Sequence, residues 1–205
     1  DRCFKGALES GVTTVVTGPG SSNPIAGNWI AIKTYGDRID DMIVKNPVGM
    51  KFALGENPKT VYNNKSLAPV TRMGTASLIK EQLEKTLRYM KKIEASVNDT
   101  DTDLPDYDAK CESLIPVLKG DLKAFIHAHR ADDIFTAIRL CKRCNIDYVI
   151  VHGTESHLIA KYLKEDNVKV ITGPFLCDRS KPELKNLTPS CPSVLSSFGV
   201  EFAIC

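Results

Sequence analysis

The chain has 205 residues, of which 42% are hydrophobic, and its 27 basic and 25 acidic residues give a formal net charge of +2. This composition is typical of a globular protein, and the lack of a basic patch interleaved with aromatics argues against nucleic-acid binding. No run approaches the roughly 20 apolar residues that cross a bilayer, and the N-terminus lacks the features of a signal peptide. We therefore expect a cytoplasmic protein without a nucleic-acid or membrane partner.

Seven short apolar runs rich in β-branched residues alternate with helical patterns, which is typical of a parallel sheet with crossover helices. The acidic segment 97–109 is predicted to be a surface connection. The predicted strands are Val12–Thr17, Trp29–Thr34, Gly49–Leu54, Ala124–Ala128, Tyr148–His152, Val168–Thr172 and Val200–Ile204. The predicted helices are Arg38–Lys45, Thr71–Ser96, Ala131–Cys144, Glu155–Glu165 and Pro192–Phe198.

Two α/β architectures fit this pattern, an open doubly wound sheet and a closed (β/α)₈ barrel. The open sheet usually has a Gly-rich phosphate turn after its first strand, but segment 17–21 matches neither phosphate-binding pattern. A barrel places ionisable residues at the C-terminal ends of several strands. The chain has such residues, which favours the barrel, with residues 1–205 as one partial barrel domain.

The seven cysteines make an odd number, and their scattered positions do not indicate a disulfide framework. Cys141 and Cys144 form a C-x-x-C pair, but no second pair at zinc-finger spacing accompanies them. We therefore expect free thiols.

The chain begins at Asp1 in an amphipathic stretch and ends at Cys205 after an apolar run. We expect a piece of a longer polypeptide, in which the first barrel strand and the end of the eighth are missing. An incomplete sheet exposes apolar edges. We therefore also expect a homo-oligomer or association with the missing segments.

Three of the four histidines lie at the ends of two consecutive predicted strands. His127 and His129 are two residues apart, so alternation along the strand puts them on one face. His152 ends the next strand and is expected beside His127 at the same rim. Converging imidazoles suit a divalent ion such as zinc. The alternative is that they are buried structural histidines bonded to the backbone.

The segments 127–129 (His-Ala-His) and 151–153 (Val-His-Gly) resemble the ends of the fifth and sixth barrel strands in the amidohydrolase superfamily. The similar members are imidazolonepropionase, dihydroorotase and the prolidase-like amidohydrolases. Segment 11–15 resembles the second strand and segment 168–174 the seventh. The resemblance implies a (β/α)₈ barrel that hydrolyses the C–N bond of a small linear or cyclic amide. It also implies a metal-activated water and one or two zinc-type ions in the full-length protein.

By position, the resemblance implies that His127 and His152 are catalytic metal ligands. Lys51 matches the fourth-strand lysine that bridges metals after carboxylation of its amine, and a lysine within an apolar strand needs some such explanation. An ion pair with Glu56 at the rim is the alternative. His129 matches a substrate-contacting position, although its shared face leaves open that it is the ligand in place of His127.

Substrate contacts are expected from residues that follow the strands. Arg130 follows the fifth strand, and Asp178 and Arg179 follow the seventh. An arginine there could clamp a substrate carboxylate, and ordinary surface ion pairs are the alternative. Segment 17–23 is expected to line the same mouth, and His157 to be exposed or structural.

Two parts of the family pattern are absent from the sequence, the first-strand H-x-H and the eighth-strand aspartate. We therefore expect this chain alone to bind metal weakly and to be inactive. Two other functions remain open. One is a barrel-like binding or assembly protein whose histidines only pack, and the other is a metal-independent barrel enzyme that uses His127 and Glu155 as acid and base.

Overall fold

The computed structural model describes residues 2–98 and 103–205, so the acidic connection predicted at 97–109 lies partly outside the described residues. Helices and strands alternate along most of the chain. None of the described helices is both long and apolar enough to cross a membrane. The helices are α1 (Arg2–Glu9), α2 (Ile39–Met42), α3 (Glu56–Asn63), α4 (Arg72–Asn98), α5 (Ala109–Lys119), α6 (Ala131–Cys144), α7 (Ala160–Glu165) and α8 (Cys191–Ser197), with 3₁₀ turns at Ser156–Ile159 and Pro182–Leu184. The strands are β1 (Thr14–Thr17), β2 (Ile25–Lys33), β3 (Ile43–Ala53), β4 (Lys123–Ala128), β5 (Tyr148–His152), β6 (Lys169–Thr172) and β7 (Phe202–Ile204).

The seven strands form one sheet in the order of the sequence, from β1 to β7. Strands β3 to β7 are parallel neighbours, and helices connect them. The sheet curls into part of a barrel, so the protein has a mixed α/β fold. In this parallel part, Ala53 is paired with His127 and Ala128 with His152, which brings the C-terminal ends of β3, β4 and β5 to one rim.

The prediction of parallel strands throughout is wrong for the first three, because β1 and β2, and β2 and β3, pair antiparallel. A parallel crossover needs a dozen or more residues, and the segments 18–24 and 34–42 that join these strands are too short for one. The helix predicted at Arg38–Lys45 is likewise only the single turn of α2, since β3 already begins at Ile43.

Three helices were not predicted from the sequence patterns: α1, and α3 and α5, which lie on either side of α4 in the chain. Helix α5 contains Pro116, which obscures the helical pattern. Its ends are nevertheless well defined. The Asp108 carboxylate accepts from the first-turn N–H groups of Lys110 and Cys111, and Gly120 closes the helix in the left-handed conformation.

The main core lies between the parallel strands and the helices that cover them. Phe52, Ile126 and Ile150 point from neighbouring strands into this core, where they pack with apolar residues of the helices, including Ile134 and Leu163. Residues on the opposite face of these strands are buried as well. The continuous apolar runs in the sequence correspond to strands covered on both faces.

Candidate metal centre

Three imidazole rings meet at the rim formed by β4 and β5. His127 lies within β4, His129 follows its end, and His152 ends β5. The ring centroids of His127 and His129 are 4.6 Å apart, those of His127 and His152 are 4.8 Å apart, and those of His129 and His152 are 5.0 Å apart. The structure therefore brings together the histidines that the sequence singled out.

Hydrogen bonds from the surrounding chain orient two of the rings. The Nδ1 atom of His152 lies 2.8 Å from the carbonyl oxygen of Gly173 and must donate to it, because a carbonyl only accepts. The Nε2 atom of neutral His152 consequently carries a lone pair. The Nδ1 atom of His129 lies 2.7 Å from the hydroxyl of Thr154, which leaves its Nε2 facing the cluster. Partners of this kind fix the ring orientation of histidines that ligate metals.

The third ring, His127, has one nitrogen bonded and one without a partner. Its Nε2 lies 3.2 Å from Nδ2 of Asn57, and its buried Nδ1 has no hydrogen-bond partner among the described residues. Lys181 donates to Oδ1 of the same asparagine at 2.5 Å. Since that bond fixes the amide with its NH₂ group toward the ring, Asn57 donates to His127.

A carboxylate that the sequence patterns did not single out completes the cluster. Glu183 is fully buried, and its Oε1 lies 3.7 Å from Nε2 of His129. Candidate ligand atoms of His127, His129 and Glu183 all lie within 4.8 Å of one another. The sequence signal was weak because Glu183 lies in the 3₁₀ turn of a long loop after β6, away from any strand end.

Contacts from α3 and α4 hold the Glu183 carboxylate in place. Its Oε2 accepts from the backbone N–H of Glu56 at 3.0 Å and lies 3.5 Å from the guanidinium of Arg72. Arg72 also binds Asp133 at 3.1 Å. Gly55 has a φ of +82°, and a Cβ at this position would lie only 2.9 Å from Oε2 of Glu183. Glycine therefore allows the chain to pass against the carboxylate.

The three imidazoles are neutral at physiological pH. Burial lowers the pKa of His127 far below its ordinary value, and repulsion from the protonated forms of His129 and His152 and from the Lys51 and Lys181 ammonium groups lowers it further. Burial also lowers the pKa of His129 to about 3 and depresses the pKa of His152. Because a histidine must be deprotonated to ligate a metal, these rings are in the required state.

Lys51 is buried in β3 beside the imidazoles. Its side chain is 2% exposed, and its Nζ lies 4.8 Å from the ring centroid of Trp29, within range of a cation–π contact. Burial lowers the pKa of Lys51 to about 8. No ion pair joins it to Glu56 or to any other carboxylate in residues 2–98 and 103–205. The rim ion pair considered as the alternative is therefore not formed.

A pocket opens onto this cluster beside β1. Its walls include Lys51 and His152 and the loop from Thr17 to Ser21 after β1. The loop that the sequence placed at the mouth thus lies beside two of the candidate site residues.

The chain is similar to two proteins that are named as amidohydrolases. No protein-family model matches the chain. A crystal structure of an amidohydrolase from Thermotoga maritima MSB8 superimposes with a TM-score of 0.95 and 42% identity, over 100% of this chain and 53% of that protein. The chain is similar to this amidohydrolase along its whole length. Amidohydrolase tasK of Hapsidospora irregularis is 25% identical over 173 residues, covering 75% of this chain and 18% of that protein.

The chain thus spans about half, or less, of the length of the amidohydrolases it resembles. Both similar proteins are named amidohydrolases, which supports hydrolase activity for a protein of this kind. The histidine and carboxylate cluster described above is a candidate metal site within this amidohydrolase-like chain.

Several polar residues that were candidates for substrate binding or acid–base chemistry are engaged elsewhere. Arg130 forms an exposed ion pair with Asp132 at 2.7 Å, and Arg179 donates to the carbonyl of Leu187 at 2.8 Å. Asp178 is exposed. Glu155 uses one oxygen to accept from the N–H of Ala131 and the other to accept from Asn186, both at 2.8 Å. His157, predicted to be exposed or structural, is half-buried and lies outside the imidazole cluster.

Proposed function

We propose that the chain carries the metal-binding part of a metal-dependent amidohydrolase that cleaves a C–N bond in a small amide substrate. The observation that carries this proposal is the convergence of His127, His129, His152 and Glu183 at one strand rim. The amidohydrolase names of two similar proteins support the same reaction class. Because the chain spans only part of either protein, the proposed activity belongs to the whole polypeptide.

The residues of the cluster fit a divalent ion. The donor set combines imidazole nitrogens with a carboxylate oxygen, which suits zinc. One buried oxygen of this set, Oε1 of Glu183, has no hydrogen-bond partner in the described residues. Leaving a carboxylate oxygen unpaired is costly, and coordination would satisfy it.

His129, His152 and Glu183 would hold a divalent ion, which would supply Lewis acidity toward a substrate carbonyl and a water molecule. The chain's own residues prepare the site. Gly173 and Thr154 fix the His152 and His129 rings, and Arg72 with the N–H of Glu56 fixes the Glu183 carboxylate. Such preorganisation lowers the cost of rearrangement when substrate and ion bind.

Lys51 is proposed as a further, bridging ligand once its amine is carboxylated, with His127 and His152 as its neighbours in the site. Its burial beside the imidazoles and its lack of a carboxylate partner support this role. We also propose that the curled sheet belongs to a (β/α)₈ barrel. The parallel order of β3 to β7 supports this architecture.

The two other functions have less support. A metal-independent acid–base pair would require Glu155 to act on a substrate, but both of its carboxylate oxygens already accept hydrogen bonds. A packing role alone for the cluster would leave Oε1 of Glu183 buried without a partner among the described residues.

Metal titration tests the proposal. Cobalt(II) added to the metal-free chain should bind and give the visible absorption bands of a nitrogen- and oxygen-ligated ion. His129→Ala and His152→Ala should each weaken binding about tenfold or more, because each removes one donor. His157→Ala is the matched control, since this ring lies outside the cluster, and it should bind cobalt as the wild type does.

A wild-type chain that binds no cobalt or zinc, or an effect of His157→Ala equal to that of His129→Ala, would contradict the metal site. Circular dichroism of every variant separates loss of a ligand from loss of the fold. For the longer polypeptide, hydrolysis of amides that survives complete chelation would contradict metal dependence.

A further inference from the structure

Lys181 is a half-buried lysine at the edge of the cluster, and its ammonium group has an unusual partner. It lies in the loop after β6, directly before the 3₁₀ turn that carries Glu183. Its Nζ donates to the neutral amide of Asn57 at 2.5 Å, and that amide in turn donates to His127. The ammonium is therefore one amide group away from a candidate metal ligand.

Several other lysines of the chain lie against carboxylates. Lys85 pairs with Asp108, Lys123 with Asp147 and Lys142 with Asp166, each at 2.6 Å or less. Lys181 has no ion pair in the part of the chain that the structure describes. Its charge nevertheless reaches the cluster, since after burial it is among the charges that lower the pKa values of the three imidazoles.

Neither Arg130 nor Arg72 offers such a charge. Arg130 is paired with Asp132, and Arg72 is shared between Asp133 and Glu183. Lys181, by contrast, has donor capacity left, because an ammonium has three N–H groups and one of them binds Asn57. The amide of Asn57 also keeps one N–H that is not directed at His127.

We propose that Lys181 and Asn57 form an anion subsite that receives a carboxylate of the substrate. This inference rests on the proposed function, because it assigns a substrate class to the same site. The subsite lies next to His127, so the carboxylate must be only a few bonds from the scissile C–N bond. N-acylated amino acids have this arrangement, with an acyl carbonyl and a free carboxylate on either side of one C–N bond.

Binding of two matched probes tests the subsite. Hippurate (N-benzoylglycine) carries the carboxylate, and hippuramide differs only in having a neutral amide there. Trp29 is the single tryptophan of the chain and lies beside Lys51, so its fluorescence reports on ligands in the site. The wild type should bind hippurate about tenfold more tightly than hippuramide, as expected for one charge-assisted hydrogen bond.

Three variants separate the anion contact from general effects. Lys181→Met should lose this preference, with hippurate binding about tenfold weaker and hippuramide binding unchanged. Lys181→Arg should restore most of the preference, because the cation is kept. Lys185→Met is the matched control: the exposed lysine lies in the same loop, and its removal should leave the preference intact.

The proposal is overturned if the wild type shows no preference, or if Lys181→Met weakens both probes equally, as loss of Asn57 positioning alone would do. Running the titrations with and without zinc separates this proposal from the metal site. If the chain binds no metal but still prefers hippurate to hippuramide, only the metal-site proposal is contradicted. If it binds metal but shows no preference between the two probes, only the anion-subsite proposal is contradicted.

Discussion

The rings of His127 and His152 lie 4.8 Å apart, although simple alternation along their paired strands would send them to opposite faces of the sheet. Val151 is the register partner of His127, and Ile150 points into the helix-covered core. His152, two residues after Ile150, should therefore also face the helices. Its φ of 74° places it in the left-handed region, and we infer that this backbone turn redirects the ring toward His127.

The turn continues through Gly153, which has a φ of 48°, and this residue gives the first prediction. A Cβ at this position would collide with the hydroxyl of Ser156 and with Val170. Gly153→Ala should lower the free energy of unfolding by about 2 kcal/mol or more and weaken cobalt binding, because His152 must shift. Urea unfolding and cobalt titration measure the two effects.

Gly20→Ala is the control for this change. Gly20 lies in the loop after β1, and a Cβ there would meet nothing within 4 Å. Its stability should stay within about 0.5 kcal/mol of the wild type. Equal stability of the Gly153 and Gly20 variants would refute the strained-turn explanation for the His152 ring.

The sequence predicted the strands and the histidine cluster because both depend on local pattern. Apolar β-branched runs marked each of the seven strands, and His127 and His152 stood out at the ends of two of them. Neither the direction of the first strands nor the place of Glu183 in the cluster could be predicted from local pattern. Direction depends on whether a connection is long enough to cross over, and Glu183 reaches the cluster only through tertiary contacts with Arg72 and α3.

Arg72 should be important for stability because it faces two buried carboxylates. Asp133 and Glu183 have side chains 6% and 0% exposed, whereas that of Arg72 is 25% exposed. Arg72→Met leaves both carboxylates without their cation, and we expect a loss of about 2–4 kcal/mol in urea unfolding. Arg143→Met, which breaks an exposed pair with Glu84, should cost no more than about 1 kcal/mol. Similar losses in the two variants would contradict the buried network.

Carboxylation of Lys51 would make metal affinity depend on bicarbonate. The neutral amine attacks carbon dioxide, an N–C bond forms and one proton leaves, and the lowered pKa of about 8 increases the share of neutral amine. Cobalt affinity of the wild type should rise several-fold with bicarbonate, and Lys51→Met should not respond. Lys45→Met, on an exposed position of the same strand, should respond as the wild type does. A bicarbonate effect that survives in Lys51→Met would rule out this lysine.

The N-terminus of α5 provides a test of pH dependence away from the site. Hydrogen bonds from the Lys85 side chain and the Cys111 backbone lower the pKa of Asp108 from 3.8 to about 2. Because the folded-state pKa lies below the unfolded one, Asp108 contributes its full stabilisation above about pH 4 and loses it as the pH falls toward 2. Asp108→Asn should therefore melt at a lower temperature than the wild type at pH 5, with the gap narrowing at pH 3.

Asp106→Asn is the control for that comparison, since Asp106 is an exposed residue of the same segment. Its melting temperature should equal that of the wild type at both pH values. A gap between Asp108→Asn and the wild type that stays constant from pH 5 to pH 3 would show that the charge of Asp108 does not stabilise the helix.

The outer strands β1 and β7 each have only one hydrogen-bonded neighbour in the described sheet, and both expose apolar side chains. Val16 on β1 is 52% exposed and Ile204 on β7 is 63% exposed. Open apolar edges pair readily with other strands, so we expect this chain to self-associate at micromolar concentration, as measured by light scattering. Val16→Lys and Ile204→Lys should each shift the equilibrium toward monomer, because a charged side chain on an edge strand opposes pairing. Val97→Lys, at a valine that is more exposed than Val16 and lies at the end of α4, should not. A wild type that stays monomeric at every concentration would show that these edges do not pair.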